Sequence, residues 1–237
     1  MDGSHKQEQE NKRVTKVKTF SVPFALEEIN QNITVSTISS SKPSKEQIIN
    51  QAIQFHLKGN IPEATKYYQQ LISQGCNDHR VFSNYGAILQ GLGKSKEAEF
   101  SYRKAIEINP DFADAHSNLG IILKDLGNLQ EAEFSYRKAI EINPDFAEAH
   151  SNLGIILKDL GKLQDAELSY RKAIEIKPDY ADAHYNLGVL LKDLNNLDNA
   201  ISSYIRAGDL GMDYNLCQAG IGKILLKKGN HAEGLIK

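Results

Sequence analysis

Asn50, Asn84, Asn118, Asn152 and Asn186 stand at intervals of 34 residues. A carboxamide offers one acceptor and two donor hydrogens, so it can pair with both the C=O and the N–H of a peptide bond. A column of such groups would hold an extended chain by its backbone, with little regard for sequence. Asparagine is a mediocre helix former, yet each of these stands two residues before a small residue in a helical pattern: Ala52, Gly86, Gly120, Gly154 or Gly188. The competing account is that duplication copied a structural asparagine that bonds a neighbouring helix. Survival of the asparagine in the divergent first unit favours a selected role. The recurring pairs Lys124-Asp125, Lys158-Asp159 and Lys192-Asp193 mix signs and read as a solvated rim. Lys124, Lys158 and Lys192 therefore join the asparagines as candidate peptide-binding residues.

Other chemistry has lookalikes only. His116, His150 and His184 recur with the same period, but equivalent residues on helices ~8–10 Å apart cannot meet on one ion, so a packing role is expected. Gly93-Lys94-Ser95 resembles the end of a phosphate loop, yet Ile88 stands where that loop needs its first glycine. Cys76 and Cys217 lie far apart in sequence with no CxxC or Cys/His cluster around them, which points to two ordinary buried thiols. No GxSxG, HExxH or GxGxxG occurs. No catalytic residue, metal site or cofactor is expected, and the chain does not read as an enzyme.

Composition narrows the partners. With 28 Lys plus Arg against 30 Asp plus Glu, the net charge of −2 implies attraction neither to nucleic acid nor to an anionic membrane. Apolar runs are short, well below the ~20 residues of a membrane-spanning helix. Met1 to Phe20 carries charges throughout, which argues against a secretory signal. A cytoplasmic location is the expectation.

The elements that must position these residues follow from an internal repeat of 34 residues. Residues 113–146 and 147–180 differ at only six positions, and the same frame extends to 45–78, 79–112 and 181–214, with a partial copy at 215–237. Within each unit apolar residues fall at helical spacing in two blocks, such as Leu119, Ile122, Leu123 and then Ala132, Tyr136, Ala139, Ile140. Each unit is thus two helices. Gly59, Gly93, Gly127, Gly161 and Gly229, with Asn195 in the fifth unit, occupy the turn between them, where a positive φ is cheapest. Pro144 stops the second helix, and Asp145 with Glu148 supplies a capping-box-like start for the next unit. Ser44 with Gln47 does the same for the first helix. A glycine inside a helix costs about 1 kcal/mol relative to alanine. Recurrence of Gly86, Gly120, Gly154 and Gly188 beside a column of tyrosines, Tyr68 to Tyr204, therefore points to close helix packing.

Leu119, Gly120, Leu123, Ala132, Tyr136, Ala139 and Pro144 resemble the pattern of the tetratricopeptide repeat family, most fully across residues 79–207. The resemblance implies an all-α solenoid, a right-handed superhelix of antiparallel helix pairs with a concave inner surface, and a scaffold rather than a reaction. It also implies that the asparagine position faces the concave surface. The column is similar to the asparagine ladder in the repeat domain of O-linked N-acetylglucosamine transferases, which holds protein substrates. Nothing in the chain matches a sugar-transfer domain. A family variant that clamps a C-terminal carboxylate uses Lys and Asn at two other inner positions, where this chain has Ser117, Ser151 and Ile121, Ile155.

The ends depart from the pattern. Residues 1–44 lack periodicity and read as a flexible tail, interrupted by the apolar cluster Phe20, Val22, Phe24, Leu26 and Ile29. That cluster is either a docking motif or a segment folding back onto the first repeat. The sixth unit is expected to hold a helix over Gln218 to Lys228, a turn at Gly229-Asn230 and no closing helix, which leaves an end open to self-association. The reading is a protein-interaction scaffold whose concave groove takes a protein or peptide ligand. The alternatives are the substrate-recruiting region of a larger enzyme, such as a glycosyltransferase, or a structural spacer.

Overall fold

The computed structural model describes residues 43–234, with side chains for 43–229. Among the described residues there are 11 α-helices and no strand. The first three repeats hold α1 (Lys45–Leu57) with α2 (Ile61–Ser73), α3 (His79–Gly91) with α4 (Ser95–Ile108), and α5 (Ala113–Asp125) with α6 (Leu129–Ile142). Next come α7 (Ala147–Asp159) with α8 (Leu163–Ile176), α9 (Ala181–Asp193) with α10 (Leu197–Asp209), and finally α11 (Tyr214–Gly234). The chain is an all-α solenoid of helix pairs. The tail's apolar cluster lies outside the described residues.

Local chemistry sets most of the boundaries. Ser44 and Gln47 form the expected capping box at α1, each side chain accepting from the other's backbone N–H. Inside each repeat the turn closes on a left-handed residue. At Gly127 (φ 83°), the Asn128 N–H reaches the Leu123 carbonyl at 2.8 Å and the Gly127 N–H reaches Lys124 at 2.9 Å. This paired bonding satisfies carbonyls the helix leaves open. Asn195 serves at φ 62° in the fifth repeat.

Two expectations about boundaries need correction, and the end turns differ from the central ones. Asp145 and Glu148 form no capping box: Phe146 is the N-cap of α7 and makes no side-chain cap bond. The Asn143 carboxamide instead accepts from the Asp145 N–H at 3.2 Å, so the turn is organised one helix end earlier, by an asparagine bonding its own backbone. Cys76 and Met212 occupy the position that Pro110, Pro144 and Pro178 hold in the central units. Gly75 (φ 70°) and Gly211 (φ 95°) make those turns, with the Cys76 and Met212 N–H groups bonded five residues back to Leu71 and Ala207. Finally, Gly229 makes no turn, because α11 runs through it. A turn there would forfeit helix bonds, and no second helix among the described residues packs to compensate. Leu225 and Leu226 are exposed on this last helix.

Packing rests on a repeated contact between tyrosine and glycine. Tyr68, Tyr102, Tyr136, Tyr170 and Tyr204 are all at most 1% exposed. A Cβ added at Gly120 would lie 2.7–2.9 Å from the Tyr136 ring, and one at Gly154 equally close to Tyr170. In α3, α5, α7 and α9 the ring of the even-numbered partner thus packs on a glycine with no side chain between, while Ala52 takes that position in α1. Cys76 and Cys217 are buried and unbridged, as expected.

The curvature can be read from which helices meet. Each odd-numbered helix from α1 to α9 touches the next odd-numbered helix, whereas no two even-numbered helices approach one another among the described residues. The stack therefore bends toward the odd helices, which form its inner face, and splays on the even side. Gly120→Ala should lower the urea midpoint, with overpacking outweighing the gain in helix propensity by about 1–2 kcal/mol. Gly222→Ala, where an added Cβ meets nothing within 4 Å, should raise it by about 0.5–1 kcal/mol. An unchanged or raised midpoint for Gly120→Ala would show that the ring contact is not tight.

Candidate functional site

Helical spacing places Asp114, Asn118 and Ile121 on one face of α5, with Lys124 a further turn on. Glu148, Asn152, Ile155 and Lys158 repeat that face on α7, and Asp182, Asn186, Val189 and Lys192 repeat it on α9. The same face of α5, α7 and α9 thus carries, in order, an acidic residue, an asparagine, a branched apolar residue and a lysine.

The asparagines lie deeper than a rim. Asn84, Asn118 and Asn152 are 0%, 4% and 7% exposed, while Asn50 and Asn186 are half-buried. They stand where successive repeats meet. Asn84 approaches the Tyr68 hydroxyl of the preceding repeat closely enough to oppose the burial that pushes that phenol's pKa up, but without hydrogen-bond geometry. Thirty-four residues beyond Asn186 stands Gly220, where an added Cβ would lie 2.7 Å from the Tyr204 ring. This position therefore covers the tyrosine of the repeat before it. Both polar atoms of the Asn84 amide, and Nδ2 of Asn186, are buried without a partner.

The lysines are half-buried. Lys124 lies 3.8 Å from Asp125, and Lys192 lies 3.6 Å from Asp193. Sequence reading missed the acidic stripe, although its signal is present: an acid four residues before Asn118, Asn152 and Asn186. Burial raises the Asp114 carboxyl above the usual range, and the neighbouring Glu148 adds to the rise. Burial also raises Asp182, with Lys177 opposing. Lys177 itself pairs with Glu148 at 3.1 Å. In the second repeat Arg80 replaces the acid and makes two bonds to Glu46 of the first, at 2.8 and 3.0 Å.

The histidines have a specific use. Nε2–H of His116, His150 and His184 donates to the carbonyl of Pro110, Pro144 and Pro178, at 2.9, 2.9 and 3.1 Å. Each ring pins the turn that enters its own repeat. His116 is buried, but His150 and His184 are only half-buried, so hydrogen bonding as well as packing holds them.

Comparison with known proteins identifies the class. Sequence profiles described as TPR repeat match residues 91–127 and 154–195, and profiles described as tetratricopeptide repeat match 113–146 and 135–167. The units within residues 91–195 are tetratricopeptide repeats, and the fold is a TPR solenoid. No curated protein sequence matches the chain. Among solved structures, a tetratricopeptide repeat protein from Parabacteroides merdae is similar at TM-score 0.65 and 22% identity, covering 81% of this chain and 76% of its own. YrrB, described as a TPR protein with an unusual peptide-binding site, is similar at TM-score 0.63 and 24% identity over 74% of this chain and 91% of its own. MamA from Desulfovibrio magneticus is similar at TM-score 0.63 and 19% identity over 71% and 96%.

The raised Asp114 carboxyl has a sign that can be tested. The folded chain binds this proton more tightly than the unfolded chain, so stability falls as pH rises from the ordinary carboxyl value of about 4 through the folded-state value. Asp114→Asn lacks that fall. The variant should be more stable than the parent at pH 7, with the gain shrinking below about pH 4. Urea midpoints at the two pH values check this, and a less stable variant at pH 7 would contradict it.

Proposed function

We propose that this chain is a protein-interaction scaffold whose concave inner groove binds an extended polypeptide by its backbone. The observation that carries the reading is a column of five asparagines along the odd-numbered helices, in which half-buried Asn186 has its Nδ2 without a partner. A buried polar group left unpaired costs about 1–3 kcal/mol, so the column favours a ligand that supplies peptide groups. Asn118 and Asn152 line the middle of the floor, flanked by Asn50 and Asn186. Asn84, fully buried, joins only if its side chain turns away from Tyr68. The lysines Lys124, Lys158 and Lys192 and the acidic stripe bound the groove and bias it toward peptides of matching charge. The description of YrrB as having a peptide-binding site is consistent with such a use of this fold. The ligand class is protein or peptide; no helix among the described residues is long and apolar enough to cross a membrane.

Each net hydrogen bond contributes about 0.5–1.5 kcal/mol. After the cost of ordering the peptide, affinity should fall roughly in the micromolar to millimolar range. A fluorescent unstructured peptide of ~15 residues, long enough to span about 50 Å when extended, and its scrambled counterpart should bind with similar affinity. Replacing Asn118 and Asn152 together by Ala should weaken both about tenfold, or 1.4 kcal/mol, while leaving helicity intact, since alanine is the better helix former. If the double variant unfolds while binding per folded molecule is unchanged, the asparagines are structural.

A further inference from the structure

The splay of the even-numbered helices opens clefts on the outer face, one per junction between repeats. Four recur with the period, at about 390, 510, 450 and 530 Å³. Three carry an apolar lip at the same position of successive repeats: Phe100, Phe134 and Leu168, at 62%, 63% and 67% exposed. Ser202 ends the ridge in the fifth repeat. The first cleft, between the first and second repeats, is lined by Phe82, Tyr85, Leu89 and Phe100, with Lys94 and Lys96 at its edge. Exposed aromatic side chains over an apolar cleft mark a docking surface.

We infer that residues 20–29 of this same chain dock in that first cleft. Phe20, Val22, Phe24 and Leu26 alternate, so in an extended chain they share one face, and Pro23 is compatible with such a segment. Residues 30–43 tether it to the N-cap of α1, in the repeat that forms one wall of the cleft. Fourteen residues reach up to about 46–50 Å, several times the ~8–10 Å between packed helices. Reach therefore permits this cleft, and the tether supplies a high effective concentration. Charge selects it over the others. Glu27 and Glu28 follow Leu26, and only here do lysines hold both edge positions. The equivalents are Asn128 and Gln130, then Lys162 and Gln164, then Asn196 and Asp198, and Lys162 is already paired with Glu133 at 2.7 Å. The inference is independent of the inner groove.

The test uses the full chain carrying Glu97→Cys, an exposed position lining the cleft, with the native cysteines buried. Alkylation of this thiol should be about tenfold slower than in the same chain with Phe24→Asp and Leu26→Asp. Glu27→Lys with Glu28→Lys should speed it, and Lys94→Glu with Lys96→Glu should restore the slow rate. A reporter in the next cleft, Gln130→Cys, should be indifferent to all of these. Equal rates with and without the aspartates would overturn the inference. So would protection that grows with protein concentration, which would assign the cleft to a second copy, or acceleration seen at residue 130 alone.

Discussion

The contact between a tyrosine ring and a bare helix backbone is the constraint on which the rest of this solenoid depends. Tyr136 lies against Gly120 where a methyl group would already collide, so the two helices of a repeat approach more closely than ordinary side chains allow. The tyrosines also reach the seam with the following repeat, as Tyr204 does at Gly220 and Tyr68 does at Asn84. One ring therefore joins two odd-numbered helices. The odd helices are drawn together while the even helices that donate the rings remain apart. Curvature follows from where small and large residues alternate, and it is renewed at each junction because a repeat packs only on its neighbours.

That asymmetry gives the molecule two chemically different surfaces. On the odd-numbered helices, one face repeats an acidic residue, an asparagine and a lysine from unit to unit. On the outer side, gaps between helices leave apolar clefts with aromatic lips. Ion pairs bridge the even helices without closing these gaps: Arg103 reaches Glu131 at 2.7 Å, and Lys162 reaches Glu133 at 2.7 Å. Exposed pairs such as Arg103–Glu131 contribute about 0–1 kcal/mol each. They align neighbours that the tyrosines have already placed. Glu133 shows the balance: burial works to raise its carboxyl, but Lys162 and Arg137 together hold it below the usual range.

The end repeats keep the geometry while changing the chemistry of the turns. Where the Pro-Asp sequence of the central units is absent, Gly75 and Gly211 take left-handed backbone, and the Leu71 and Ala207 carbonyls accept from five residues on, where Ala139 accepts from Asn143 four residues on. Two solutions to one turn are compatible with the same stack because only the direction of the next helix matters to packing.

The sequence by itself determined the period, the two helices per unit, the left-handed turns at Gly127 and Asn195, the Ser44 cap and the pairing of small with aromatic positions. These depend on hydrogen bonds and sterics within about five residues, or on a periodicity that duplication preserves in the letters. Only the tertiary structure decided how deep Asn118 and Asn152 lie, that Asp114 sits beside Glu148 of the next repeat, and that splayed helices leave Phe100 and Phe134 over open clefts. Each of these concerns groups whose separation is set by the angle between stacked helices, and that angle is a sum over many contacts rather than a property of any segment. The corrections at Asp145 and Gly229 have the same origin. A capping signal and a turn signal are local preferences, and they yield when the path of the helices packed around them, among the described residues, does not reward them.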